Sequence, residues 1–254
     1  MILLHRITSF ALALVAAVGF WILTYLPEQT SSAMIGLVVL IPLLLARLLK
    51  WDVRRFSFWV FLGTPTFFLL SSLFLFLFLE SNLAKVSLGI IVTIGIWLYG
   101  ENLFSFYHLP SSYQAYALEY LSLVLYVASG FFFTSGAYGT QLVLQLPIWI
   151  PALAVFWVVL FATIGVFWVS KIAQETSVLF ALSGALLMTE LYFVFAMLPT
   201  SFLTNAAAFS VFLYLYLGLA RAHVLEKLSK KVLRRYVIIG GLLLAIVFGT
   251  ARWV

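Results

Sequence analysis

Glu190 lies deep inside one of the long apolar stretches of the chain, in the segment Leu-Met-Thr-Glu-Leu-Tyr at positions 187–192. If this stretch is a helix in a bilayer, a charged side chain near its middle costs at least ~2.5–3.5 kcal/mol. The carboxyl group must then be protonated, paired with a polar group or exposed to water. These states fit a proton relay, an ion site, a substrate ligand, or a hydrogen bond that only ties two helices together.

Two polar residues beyond the next turn could reach this carboxyl group. Pro199 and Thr200 interrupt the apolar sequence, which predicts a hairpin of two helices. Reflection across the turn puts Glu190 at the level of Ser210, with Asn205 one to two helical turns closer to the turn. We therefore predict a polar intramembrane site made of Glu190, Ser210 and Asn205.

A second polar group contains two carboxylates and a histidine. Glu101 and His108 are seven residues apart and share one face of a helix, and Glu119 lies in the next apolar stretch. Such side chains could bind a metal ion or carry out acid–base chemistry. Metal ligands on one helix usually recur three or four residues apart. That spacing is not found here, so we expect no metal and no cofactor, and the alternative is a set of polar side chains near the membrane surface.

The composition explains why so few residues are candidates. Of the 254 residues, 65% are hydrophobic and 9% are charged, against about 25% charged residues in a typical soluble domain. The apolar residues come in runs of about 20, the length that a helix needs to cross a hydrocarbon core of about 30 Å. The chain has no Cys, which excludes disulfides and thiolate metal sites. We predict an all-α polytopic transmembrane helix bundle that forms a single integral membrane domain over residues 1–254.

The apolar runs predict about nine transmembrane helices. Their expected ranges are 7–26, 32–49, 56–79, 86–107, 114–133, 148–170, 176–198, 202–222 and 236–251. Gly100, Glu101 and Asn102 interrupt the fourth run, so eight helices is the alternative count. The uncharged stretch 134–147 contains glycines and glutamines, and we expect it to be a loop or a short interfacial helix.

The net charge of +6 arises mainly from two basic segments, one near residues 47–55 and one over 221–235. With nine crossings and a cytoplasmic N-terminus, all basic residues except Lys85 and Arg252 fall on the cytoplasmic side, as the positive-inside rule requires. We interpret the segments as topology signals that also attract anionic lipid headgroups, at about 1 kcal/mol per basic residue, and not as a nucleic-acid site. The side chains expected to face the headgroups are Arg54, Arg55, Lys230, Lys231, Arg234 and Arg235.

Small residues recur every four positions in two of the predicted helices, a pattern that lets membrane helices approach closely. The positions are Ser177, Ala181, Ala185 and Thr189 in the seventh helix and Gly241, Ala245 and Gly249 in the ninth. We expect both faces to pack inside the protein, with an oligomer interface as the alternative.

Several short motifs lie in the last third of the chain. They are Leu-Met-Thr-Glu-Leu at 187–191, Leu-Pro at 198–199, Tyr-Leu-Tyr-Leu-Gly at 214–218 and Arg-Arg-Tyr at 234–236. Over roughly residues 180–252 the chain resembles small polytopic membrane proteins of candidate-phylum bacteria that have no assigned function. The resemblance implies a multi-pass protein of a bacterial inner membrane and transfers no catalytic residue.

Three functions fit these observations. The first is a transporter or permease-like protein with a polar path near Glu190. The alternative is a structural or assembly subunit of an envelope membrane complex, and the second alternative is an intramembrane lipid-modifying enzyme that uses Glu101, His108 and Glu119. A single aspartate, Asp52, and the lack of an H-E-x-x-H motif argue against metal-dependent catalysis, so we expect a protein that is not an enzyme. The expected partners are membrane lipids and either a further copy of the chain or another membrane subunit.

Overall fold

The computed structural model describes the backbone of residues 2–251, and the side chains of residues 6–251 except residue 112. Within this range the chain forms nine α-helices that are long and apolar enough to cross a membrane. They are α1 (Ile2–Tyr25), α2 (Thr30–Leu48), α3 (Phe56–Phe76), α4 (Asn82–His108), α5 (Ala117–Leu144), α6 (Trp149–Val169), α7 (Gln174–Ala196), α8 (Phe202–Val224) and α9 (Lys230–Gly249). Arg252, one of the two basic residues outside the basic segments, lies outside the described residues.

The predicted all-α polytopic fold is confirmed, with nine membrane-length helices in the described part of the chain. The polar run at 100–102 does not break α4, which continues to His108. Gly100 instead faces Leu12 of α1, because a Cβ at Gly100 would lie only 2.8 Å from the leucine side chain. The small residue that suggested an interruption therefore allows two helices to approach each other.

The prediction of a loop or short interfacial helix over 134–147 is wrong for most of that stretch. Helix α5 continues to Leu144, and residues 134–140 are all buried. Hydroxyl groups here bond back to carbonyls of the preceding turn, as Thr134 does to Gly130 at 2.7 Å. Within a bilayer the backbone polar groups must be satisfied locally, which favours a continued helix over a polar loop.

Contacts between helices divide the chain into two compact units, Met1–Leu125 and Tyr126–Val254, with the boundary inside α5. In unit 1, α1 packs most extensively against α4 and α2, and α3 contacts α2 and α4. Phe20 of α1 lies over Gly89 of α4, and Leu12 lies over Gly100. The two helices are therefore antiparallel and meet where α4 has no side chain.

In unit 2, α7 packs against α6 and α8, and α9 contacts α8. Three glycines in this unit face a tyrosine ring from a neighbouring helix. The pairs are Gly165 with Tyr126, Gly184 with Tyr216, and Gly218 with Tyr236. The Tyr216 hydroxyl also donates a hydrogen bond to the backbone carbonyl of Phe180 in α7. Tyrosines thus supply both packing and polar contacts between the helices of unit 2.

The two stripes of small residues have different outcomes. In α7, Ser177, Ala181 and Ala185 are buried, as predicted. In α9 the expectation of internal packing is wrong, because Gly241 is exposed and a Cβ added to it would meet no atom within 4 Å, and Ala245 is exposed too. Gly240 is the buried glycine, and it faces Leu215 of α8.

Three helices end in the same way. The residues that follow α2, α6 and α8 include Lys50, Lys171 and Glu226, whose φ angles are 57°, 60° and 55°. In each case the next N–H donates to the carbonyl five residues back, for example Ile172 to Phe167 at 3.0 Å. This arrangement satisfies the last carbonyls of the helix, although glycine is the residue that usually adopts it.

Candidate functional site

Glu190 lies on the exposed side of α7. It is six residues before Ala196, the last residue of this 23-residue helix. At 1.5 Å per residue it therefore lies about 7.5 Å past the helix midpoint, toward the C-terminal end. The expectation of a position near the middle of the bilayer is thus shifted toward one end. No hydrogen bond or ion pair of its carboxyl group is found among the residues that the structure describes.

The two predicted partners of Glu190 make their hydrogen bonds elsewhere. The Ser210 hydroxyl donates to the carbonyl of Ala207 at 2.8 Å, within α8. The Asn205 side chain is buried and accepts a hydrogen bond from the Thr200 hydroxyl, which holds the turn between α7 and α8. The structure therefore places these residues on adjacent helices without joining them to Glu190.

The side chains around Glu190 form a continuous exposed stripe along α7. The stripe, called here the α7 face, consists of Leu179, Ser183, Leu186, Glu190 and Val194. Its spacings of four, three, four and four residues keep the side chains on one side of a helix. Leu179 is 68% exposed and Leu186 is 59% exposed. The Ser183 hydroxyl bonds to the carbonyl of Leu179 at 2.9 Å, so Glu190 is the strongest polar group of the face.

Glu101 has the opposite environment. Its side chain is half-buried, and its Oε2 atom is enclosed without a hydrogen-bond partner in the described part of the chain. Ser9 of α1 is also buried and its hydroxyl is unpartnered there; it lies beside Gly100, the neighbour of Glu101. Two enclosed polar groups thus occur at the same level of the α1–α4 pair.

The other members of the predicted Glu101 group lie at the facing ends of α4 and α5 in the sequence. His108 approaches the carbonyl of Leu48, at the end of α2, with Nε2 3.3 Å away. Its ring stacks on Phe104 at 5.4 Å. Glu119 is half-buried in the first turn of α5. In the described residues no group of three His, Cys, Asp or Glu side chains is arranged to hold a metal ion, so the structure does not bring Glu101, His108 and Glu119 together as ligands.

The predicted headgroup-facing residues all lie at the surface. Arg54, Arg55, Lys230, Lys231, Arg234 and Arg235 are exposed. Asp52 forms an ion pair with Arg55 at 2.8 Å, which offsets part of the charge of the first basic segment. The second segment begins α9, where Ser229 caps the helix by accepting a hydrogen bond from the Val232 N–H at 3.3 Å. These positions suit contact with lipid headgroups, which stays a prediction.

A pair of tyrosines in unit 2 was not anticipated from the sequence. Tyr138 of α5 and Tyr192 of α7 stack with ring centroids 4.4 Å apart and planes 8° apart. The Tyr138 hydroxyl donates to the backbone carbonyl of Tyr192 at 3.0 Å. Tyr192 lies two residues after Glu190 and points to the buried side of α7, so it fixes the opposite face outward. Only the long-range contact with Tyr138 reveals this role, and spacing along the chain does not encode it.

Comparison with known proteins finds no matching family model, no similar curated protein and no similar solved structure. The geometry of this chain gives a carboxyl group that has no partner among the described residues and lies on an apolar, exposed helix face.

Proposed function

We propose that this chain is a structural subunit of a membrane assembly, located in a bacterial inner membrane, and that it associates with a second copy of itself through the α7 face. The observation that carries the proposal is the exposed position of Glu190 among leucines and valine. A carboxyl group facing lipid at this depth is costly, and a second polar group at the same depth removes much of that cost.

Symmetry makes Glu190 its own partner. The basic segments of this chain give its copies one orientation in the membrane, so the two-fold axis of a dimer runs along the membrane normal. The α7 helices of two copies are then parallel and place Glu190 at equal depth on both sides of the axis. A protonated carboxyl group both donates and accepts hydrogen bonds. Two such groups in contact therefore hydrogen-bond to each other, whereas two carboxylates would repel.

The rest of the α7 face suits helix packing. Its three- and four-residue spacings match the seam along which two helices pack side by side. Leu179, Leu186 and Val194 would interdigitate across the axis, and Ser183 is small enough to allow close approach. An interhelical hydrogen bond in a membrane contributes about 0.6–2 kcal/mol. The hydrogen bond of Glu190 therefore adds to the stability that side-chain packing gives the dimer.

The geometry gives less support to the transporter and enzyme alternatives. A transport role needs a wet path to Glu190, but the grooves between α1 and α4 and between α1 and α2 lie in unit 1, and neither is lined by this residue. An enzyme built on Glu101, His108 and Glu119 needs these side chains to converge on one space. The contacts of His108 with Leu48 and Phe104 direct it elsewhere.

Cysteine cross-linking in lipid vesicles tests the proposal cleanly, because the chain has no native cysteine. Leu186→Cys places a thiol one turn from Glu190, close to the two-fold axis. Mild oxidation is expected to give a disulfide-linked dimer, since the thiols of two packed helices come within reach. Adding Glu190→Leu to this variant should lower the dimer yield, whereas Glu190→Gln should retain it because an amide also donates and accepts.

Two matched cysteine variants control for random collision. Ile91→Cys lies on the exposed side of α4, where Ile91 is 52% exposed. Gly241→Cys lies on the exposed small-residue stripe of α9. Both should cross-link far less than Leu186→Cys. Equal yields at all three positions, or a dimer at Gly241→Cys alone, would overturn the α7 interface.

A further inference from the structure

An apolar groove of about 380 Å³ lies between α1 and α4 in unit 1. It is lined by residues that include Phe20, Trp21, Thr24, Val86, Gly89 and Thr93. The Thr24 hydroxyl donates to the Phe20 carbonyl of its own helix at 2.8 Å, so its proton is not available to a ligand. The volume falls within the range of about 300–1,000 Å³ that is usual for ligand pockets. A groove of this kind, facing lipid, suits a hydrocarbon chain.

Lys85 stands at one end of this groove. It immediately precedes Val86, which lines the groove, and its Nζ lies 5.4 Å above the ring centroid of Phe76. The Phe76 ring packs edge-on against Phe20, another lining residue, at 6.1 Å. No ion pair of Lys85 is found among the side chains that the structure describes. The Lys85 ammonium group therefore contacts Phe76, and Phe76 contacts Phe20 in the lining of the groove.

The position of Lys85 is not explained by membrane orientation. The C-terminal end of α4 contacts the end of α2 through His108 and Leu48, next to the first basic segment. Lys85 is in the first turn of the same 27-residue helix, about 35 Å away at 1.5 Å per residue. It therefore lies at the opposite membrane surface from that segment, where the positive-inside rule does not require a lysine.

The aromatic side chains at the same end indicate the level of the headgroups. Trp21 and Tyr25 are exposed and their rings lie 5.9 Å apart at the end of α1. Tryptophan and tyrosine favour the membrane–water interface, where the ring is in hydrocarbon and the polar atom meets water. The groove therefore opens from the hydrocarbon region toward the interface at Lys85.

We propose that the α1–α4 groove binds one acyl chain of an anionic phospholipid whose phosphate contacts Lys85. The apolar lining contacts the acyl chain in place of neighbouring lipids. The ammonium group of Lys85 attracts the negatively charged headgroup. A second groove of about 330 Å³ lies between α1 and α2, with Gln29 and Ser32 among its lining residues. None of its lining residues is a chain neighbour of a lysine or arginine, whereas Val86 of the first groove follows Lys85 directly, so the second groove provides an internal comparison of similar size.

Native mass spectrometry of the purified protein, with phosphatidylglycerol and phosphatidylcholine added in equal amounts, tests the proposal. The native chain should retain one tightly bound phosphatidylglycerol. Lys85→Gln should lower the preference for this lipid about fivefold, the effect of one basic residue near an anionic lipid, and Lys85→Arg should restore it. Lys50→Gln removes one exposed charge at the other surface and should leave the tightly bound lipid in place. Equal losses in Lys85→Gln and Lys50→Gln would overturn the site in favour of general charge attraction.

A second pair of variants tests the groove itself. Thr93→Trp fills the α1–α4 groove and should release the retained lipid, whereas Ser32→Trp fills the α1–α2 groove and should not. Retention by Thr93→Trp would overturn the proposal, and so would displacement of the lipid by inorganic phosphate, since a soluble anion would then be the ligand. Unchanged melting temperatures of the variants confirm that the fold is intact.

Discussion

Units 1 and 2 each contain a glutamate in a membrane-length helix, and the two carboxyl groups have opposite environments. Glu101 of α4 is half-buried, and one of its carboxyl oxygens is enclosed by the protein. Glu190 of α7 turns outward onto a stripe of leucines and valine. Both residues lie in the C-terminal half of their helix, so depth along the helix does not explain the difference.

The two units differ in how several of their polar groups are hydrogen-bonded. Unit 1 encloses Glu101 and Ser9 without giving the described atoms a hydrogen-bond partner, which makes them a cost to its stability. Unit 2 directs the hydroxyls of Tyr138 and Tyr216 to carbonyls of neighbouring helices and leaves Glu190 on its exposed surface. The outward carboxyl group is therefore available to a second molecule, whereas the enclosed one is not.

The largest expected effect comes from the tyrosine–glycine contacts of unit 2. Gly184→Ala should lower the free energy of unfolding by about 1–3 kcal/mol, because the new methyl group meets the Tyr216 ring. Gly241→Ala is the matched control, since nothing lies within 4 Å of the added atom. It should raise stability by about 0.5–1 kcal/mol through helix propensity alone. Unfolding in detergent monitored by circular dichroism measures both, and the same sign for both would contradict the packing.

The stacked tyrosine pair offers a sharper test within one contact. Tyr138→Phe should cost about 0.5–1.5 kcal/mol of unfolding free energy, because it removes the hydrogen bond to the Tyr192 carbonyl. Tyr192→Phe should be neutral or stabilising, because the Tyr192 hydroxyl is buried without a partner among the described residues. The same unfolding measurement compares the two variants. A loss in Tyr192→Phe as large as that in Tyr138→Phe would contradict this account, because both variants keep the stacked rings and only the Tyr138 hydroxyl donates the hydrogen bond.

The enclosed glutamate of unit 1 can be removed at little cost. Glu101→Leu should leave stability unchanged or raise it by up to about 1 kcal/mol, because it replaces a buried oxygen that has no hydrogen-bond partner among the described residues with an apolar group. Thermal unfolding provides the measurement, with Glu101→Gln as the isosteric control. A loss of more than about 1 kcal/mol would show that Glu101 has a structural partner.

The smallest expected effect concerns the shared helix ending. Lys171→Gly should raise stability by about 0.5 kcal/mol, because glycine adopts a φ of 60° with less strain, while its added chain entropy takes back part of the gain. Lys50→Gly, with a φ of 57° after α2, should behave alike in unit 1. Thermal unfolding of both variants tests whether the positive φ angle costs stability at each of the two helix ends. A destabilised Lys171→Gly would contradict this expectation.

Apolar run length and charge were enough to predict the helices. A run of about 20 apolar residues has few alternatives in a bilayer, and nine such helices are present in the described part of the chain. The end of α5 was missed because Gly136 and Gly139 suggested a turn. In the structure both are buried within the helix, so the small side chains that mark turns in water serve helix packing here.

The direction in which a polar side chain faces could not be predicted in the same way. In water the buried face of a helix is the apolar one, but in a membrane both faces are apolar and the pattern does not tell them apart. Reflection across the α7–α8 turn predicts a level for Ser210 but says nothing of the rotation of α7 about its axis. That rotation depends on Tyr192, which stacks on a residue 54 positions away.

Association measured in lipid vesicles tests the central claim most directly. Donor- and acceptor-labelled copies, attached through Glu28→Cys in the exposed turn after α1, are diluted with lipid while energy transfer is recorded. We expect the labelled chain to associate, Glu190→Gln and Glu101→Leu to associate equally well, and Glu190→Leu to need about three- to thirtyfold more protein per lipid, as loss of one interhelical hydrogen bond implies. Energy transfer at the level of random proximity in the labelled chain, or an unchanged dilution curve for Glu190→Leu, would contradict the α7 interface.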